Sequence, residues 1–179
     1  MIVVSRIVWV VTGAVWAARS LLEFAHPDYW KPVTALDWSA VWLFSVCWLL
    51  LAPSMLLLGR LASSRRVMTV AALVATGALL AGGANAIEDG FGVKALGTLY
   101  VIGSLTAWLG LLPLAAMLQQ ARYSRLTRLV VALSLGSMLF TVGGGVIVLV
   151  AFGSLAVAPR WFTRQNPEPT LAAAEGSAG

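Results

Sequence analysis

Six side chains carry most of the chemistry available to this 179-residue chain. Arg19 and Glu23 stand four residues apart near the end of an apolar stretch, with His26 and Asp28 just beyond, so a helix would place the arginine and glutamate on one face as an ion pair. Asn85, Glu88 and Asp89 are three and four residues apart at the end of another apolar stretch, a spacing that projects all three in nearly one direction from a helix. Ionisable groups near membrane depth are expensive, which makes them the first place to look for function. Brought together, Arg19, Glu23, His26, Asn85, Glu88 and Asp89 would form a polar, ligand-binding mouth. Its carboxylates would bind a cation or relay protons, and Arg19 would compensate them or hold an anionic group. The plainer reading is a set of solvated helix ends, with Arg19 snorkelling and its pair to Glu23 purely structural. Asp28, Lys31, Asp37, Asp89 and Lys94 are read that way, while for Glu23, Asn85 and Glu88 the two readings stand level.

Other chemistries find less material. Glu23-x-x-His26 has the spacing used by carboxylate-bridged metal bundles, but those need the motif twice, the chain has one histidine, and Pro27 ends the helix there. No metal and no cofactor is therefore assigned. Cys47 lies between Val46 and Trp48 in an apolar run, without a basic partner, so it reads as a small hydrophobe rather than a nucleophile. Gly143-Gly144-Gly145 lacks the lysine and hydroxyl residue of a phosphate loop and reads as packing or bending. No catalytic residue is assigned, and the balance is against an enzyme; one would have to be built from Glu23, His26 and Glu88.

The elements that would hold these groups are apolar. Hydrophobic residues make up 60% of the chain and charged residues 11%, against roughly a quarter charged in a soluble domain. Four segments, about 7–24, 40–58, 68–86 and 95–118, are each near the roughly 20 residues a spanning helix requires. A fifth, about 129–158, is longer than one crossing needs and admits two models. One is a single tilted or glycine-bent helix; the other is a re-entrant hairpin broken at the glycines. We read a single helix, although Arg160 and Arg164 then fall on the side opposite the other arginines. The fold expected is an all-α membrane protein, a bundle of five transmembrane helices over 1–162, followed by a disordered polar tail over 163–179. The first segment also loosely fits a signal peptide, but Trp16 beside the would-be cleavage point favours a retained helix.

Charge sets orientation. The turns 59–67 and 119–128 carry Arg60, Arg65, Arg66, Arg122, Arg125 and Arg128, while the intervening turns are acidic or mixed. By the positive-inside rule the arginine turns and the N-terminus face the cytoplasm, as expected of a multi-pass protein of a bacterial-type cytoplasmic membrane. Basic residues grouped by turn, without interleaved aromatics, speak against nucleic acid as a partner. The lipid bilayer is the expected partner, with other membrane proteins or a second copy of the chain beside it.

Trp48 to Pro53 and Trp108 to Pro113 both read tryptophan, four apolar residues, proline, and Thr12-Gly13-Ala14 matches Thr76-Gly77-Ala78. These repeats suggest a duplicated helical hairpin plus a fifth helix, or coincidence in a sequence rich in leucine, alanine and glycine. Small residues at helical spacing (Ala71, Ala75, Ala78, Gly82, Gly103, Ala107, Gly136, Gly143) point to segments three, four and five as the packed centre. Trp42, Phe44 and Trp48 suggest lipid contact for segment two, and Trp30 and Trp38 suggest interfacial anchors. The expected role is a non-enzymatic accessory, sensing or small-ligand-binding component; the alternative is a small-solute or proton- or cation-coupled transporter acting as an oligomer. A transporter needs polar groups at mid-bilayer, where the sequence offers only Thr76, Ser104, Thr106, Ser134 and Thr141.

Overall fold

The computed structural model describes residues 2–25, 32–93, 95–138 and 142–157. Six helices follow one another: α1 (Ile2–Ala25), α2 (Ala35–Leu61), α3 (Arg65–Asn85), α4 (Gly97–Gln120), α5 (Ser124–Met138) and α6 (Val142–Val157). α3 runs on into a π-helical turn, Ala86–Gly90. Four of these, α1, α2, α3 with its turn, and α4, are long and apolar enough to cross a membrane. Leu79, Leu105, Leu109, Leu112 and Val150 point outward from the bundle. An apolar surface of that extent suits lipid and would aggregate in water. The architecture is all-helical among the described residues and fits a multi-pass membrane protein.

The single helix expected over 129–158 does not form. α5 and α6 run antiparallel: Arg128 and Leu129 share a groove with Val150 and Ser154, and Gly136 faces Gly144 and Val148. One helix of that length would be about 45 Å long, well beyond the about 30 Å apolar slab. Folding back instead buries faces of both halves against the bundle. The break precedes the glycines. Gly144 and Gly145 lie inside α6, where a Cβ on Gly145 would collide with the Ser20 hydroxyl of α1. The five-helix count is thus replaced by four long helices and a short hairpin, and α6 ends at the same end of the bundle as the arginine turns. The 163–179 tail lies outside the described residues.

Each helix packs on its predecessor, and α6 closes on α1, so the six form a ring. α2 buries a stripe four and three residues apart, Val41, Ser45, Trp48, Ala52, Met55 and Gly59. It meets α3 where Gly59 packs on Met68 and Ala71, and where Gly82 of α3 packs on Ser45, Trp48 and Leu49, small residues that let the backbones close. α3 and α4 approach more closely still. A Cβ on Gly77 would lie 2.6 Å from the Ala107 amide nitrogen, and one on Gly103 would lie 2.5 Å from that of Ala81.

The ring is filled by aromatics. Trp48 is fully buried, meeting Trp16 edge-on at 6.2 Å between ring centroids and Trp108 at 5.7 Å. Segment two is therefore not the lipid-facing wall expected from its composition; of its aromatics, Trp38 and Trp42 are exposed. The reason is geometric, since Trp48 lies on the same stripe as Ser45 and Ala52. The α1 indoles bind across to α2, with Trp9 Nε1 donating to the Ser54 carbonyl and Trp16 Nε1 to the Cys47 carbonyl, both at 3.3 Å. α2 and α4 continue unbroken through Pro53 and Pro113. The repeated tryptophans meet at the centre, yet the repeated Thr-Gly-Ala segments diverge. Gly13 packs on Leu149 and Phe152 of α6, and Gly77 on α4. Thr12 is buried against Ser54, whereas Thr76 is exposed.

Both arginine turns end their helices in the same way, with a non-glycine residue at positive φ: Ser63 at 52° and Arg122 at 64°. After α4, Arg122 N donates to the Gln119 carbonyl at 2.9 Å and Tyr123 N to the Leu118 carbonyl at 2.8 Å, a Schellman closure in which glycine is the usual occupant. Tyr123 Oη then donates to the Ala62 carbonyl at 3.2 Å and ties the two turns together.

Because the α3–α4 contact is backbone against backbone, Gly103→Ala should destabilise the bundle by about 2–3 kcal/mol despite alanine's better helix propensity. Gly83→Ala, where a Cβ meets nothing within 4 Å, should be neutral or stabilising. Thermal unfolding of both variants in detergent checks the contrast.

Candidate functional site

Arg19 lies about 9 Å below the end of α1 and is only 2% exposed. Three features make that burial tolerable. Its Nη1 pairs with Glu23 Oε2 at 2.7 Å, one turn further along the helix and 17% exposed. Its guanidinium carbon sits 4.8 Å from the centre of the Phe44 ring on α2, a cation–π contact. Tyr100, at the start of α4, meets Phe44 at 6.0 Å between centroids and extends the aromatic wall. A cation thus lies against one ring of an aromatic pair, with the Glu23 carboxylate on its outer side.

The second predicted group does not converge with the first as its spacing suggests. α1 and α3 are separated by α2, and the π-helical turn replaces i→i+4 geometry with i→i+5, which rotates Glu88 and Asp89 away from the direction of Asn85. Asn85 is buried and its Nδ2 donates to Ser45 Oγ on α2 at 2.9 Å. The Glu88 carboxylate lies over the first residue of α4, 3.3 Å from where a Cβ on Gly97 would sit, a position favoured by the helix dipole. Asp89 is exposed. Of the six candidates, Arg19 and Glu23 are brought together, Asn85 and Glu88 serve other contacts, Asp89 is exposed, and His26 lies outside the described residues.

Asp37 has a structural task. Its carboxylate accepts from the Thr34 backbone N–H at 2.8 Å while Thr34 Oγ1 accepts from Asp37 N at 3.2 Å, a capping box that starts α2. Among the described residues no three His, Cys, Asp or Glu side chains gather as metal donors. Two of the mid-bundle hydroxyls named above are turned to their own helices: Thr76 Oγ1 donates to the Ala72 carbonyl and Ser104 Oγ to that of Val101. Phe44, Ser45 and Tyr100 were not among the residues predicted for the site. Ser45 lies on the α2 stripe that carries Trp48 and Phe44 beside it, and that periodicity was the available signal; for Tyr100 the sequence holds none.

Searches against protein-family models, curated proteins and solved structures find no match to this chain.

Removing one partner of a buried ion pair strands the other charge, so Glu23→Ala should lower stability by about 3 kcal/mol, while Glu23→Asp should recover part of the loss. Asn85→Ala leaves Ser45 a short hydroxyl able to turn to its own helix, and should cost only about 1 kcal/mol. Unfolding temperatures in one detergent rank the three.

Proposed function

We propose that this chain is a non-enzymatic, multi-pass protein of a bacterial-type cytoplasmic membrane that acts as an accessory, sensing or small-ligand-binding component, with the cluster around Arg19 as its working site. The arginine turns and the N-terminus face the cytoplasm in this reading, and the Arg19 cluster faces outward. The observation that carries it is the buried Arg19 guanidinium, held by Glu23, Phe44 and the neighbourhood of Tyr100 at the end of the bundle opposite every other described arginine. In the sequence, the segments 19–37 and 88–94 hold the carboxylates Glu23, Asp28, Asp37, Glu88 and Asp89 against the cations Arg19, Lys31 and Lys94, so the ligand chemistry favoured is a small cation or a proton. Accessory or binding work is favoured over transport by the filled centre. Trp16, Leu51, Leu111, Leu133 and Phe152 enclose a void of only about 10 Å³, space for no more than about one water.

Orientation is checked by impermeant maleimide applied to intact cells, in a Cys47→Ala background. Val93→Cys should label and Ser63→Cys should not; the reverse pattern would overturn the assignment of sides. The site is checked by titrating the purified protein with Mg²⁺, methylammonium and tetramethylammonium. One of them should raise the unfolding temperature by roughly 5 °C at a hundredfold excess over its Kd, and the gain should vanish in Glu88→Gln with Asp89→Asn. No gain from any cation or from a change of pH would remove the binding reading. Uptake of a cation into proteoliposomes would replace it with transport.

A further inference from the structure

The hairpin of α5 and α6 is closed at one end and open at the other. At the closed end a Cβ on Gly136 would lie 3.1 Å from the Gly144 carbonyl oxygen and 3.0 Å from side-chain carbons of Ile147 and Val148, so the two helices are in backbone contact there. At the arginine end they part around a groove of about 510 Å³, well inside the size range of small-molecule sites. Its walls divide by chemistry. Arg125 and Arg128, one turn apart on α5, stand at the rim, while Leu129, Ala132 and Val150 line the depth and Ser154 of α6 offers a hydroxyl.

Both arginines are exposed. Every described carboxylate, Glu23, Asp37, Glu88 and Asp89, belongs to the opposite end of the bundle, and the sequence holds no acidic residue between Asp89 and Glu168. The rim is therefore positive with no protein anion near it among the described residues, and the apolar wall runs from it along the lipid-facing side, where Val150 is 61% exposed. A soluble anion would satisfy the arginines and leave the apolar wall bare. A second apolar helix would fill the wall and leave the arginines unmatched. One molecule satisfies both halves with its charge at the depth the arginines set.

We propose that the α5–α6 groove is a binding site for an anionic phospholipid, its phosphate between Arg125 and Arg128 and one acyl chain laid along Leu129, Ala132 and Val150. The guanidinium forks suit phosphate oxygens, and the splayed hairpin supplies the slot that a bilayer lipid needs to be held rather than merely adjacent. Two basic residues at an anionic headgroup contribute about fivefold each.

Native mass spectrometry of the full chain, released from micelles carrying equal amounts of phosphatidylglycerol and phosphatidylcholine, tests this. The wild type should retain one phosphatidylglycerol, and Arg125→Gln with Arg128→Gln should weaken that retention roughly thirtyfold. Val150→Trp, which blocks the slot but keeps both arginines, should lose it as well. Arg60→Gln with Arg65→Gln, equal in charge removed but away from the groove, should retain it. Equal loss in the Arg60/Arg65 pair would show diffuse electrostatics and overturn the site, as would retention in Val150→Trp. Displacement by millimolar inorganic phosphate would show a soluble-anion site instead. A second copy of the chain retained in place of lipid would show a protein interface.

Discussion

The contact of α3 with α4 is the constraint on which the rest of the bundle depends. Lipid tails are as apolar as leucine, so helices within a bilayer gain little by hiding side chains from it and must gain by packing. Gly77 and Gly103 remove the side chains that would keep these two backbones apart, and each helix lays main-chain atoms directly on the other. α2 then seats on α3 through Gly59, which packs on Met68 and Ala71, and through Ser45, which meets Gly82 and Asn85. With three helices fixed in this way, the inward faces of α2 and α4 are aimed at a common axis, and Trp48 and Trp108 meet there.

The aromatic centre follows from that geometry and limits what the chain can do. A ring of six helices encloses a lumen that must be either filled or wet. Here indoles fill it, and those of Trp9 and Trp16 donate to carbonyls of the neighbouring helix, so the polar atom of a large apolar side chain becomes a cross-link. The charged groups are left at the two rims. Among the described residues, one rim carries arginines alone, on turns closed by residues in left-handed conformation and joined by Tyr123. The other carries the described carboxylates, together with one arginine drawn down beside Phe44. This polarity gives the molecule two chemically distinct ends, and a function can be assigned to each separately.

Much of this was legible in the sequence, and the failures share a cause. The four long helices, their turns and the separation of arginines from carboxylates could be read because each rests on local composition or on a rule for charge placement. The Arg19 to Glu23 pair was legible because it is a contact within one helix. What failed needed to know which helix faces which. Trp48 was read as lipid-facing from the bulk of its neighbours, although its period with Ser45 and Ala52 places it inside. Asn85, Glu88 and Asp89 were read as convergent because ideal helical spacing was assumed where the chain widens into a π-helical turn. The fifth segment was read as one helix because its composition is uniform, and the fold back to meet α1 depends on glycines whose partners are remote in sequence.

Ring closure carries one more consequence. α1 and α6 lie side by side and antiparallel, so the start of α1 and the end of α6 stand together at one end of the ring. A circular permutant opened at Ser64, with α6 joined to α1 by a flexible linker, would therefore trace the same path through the bundle.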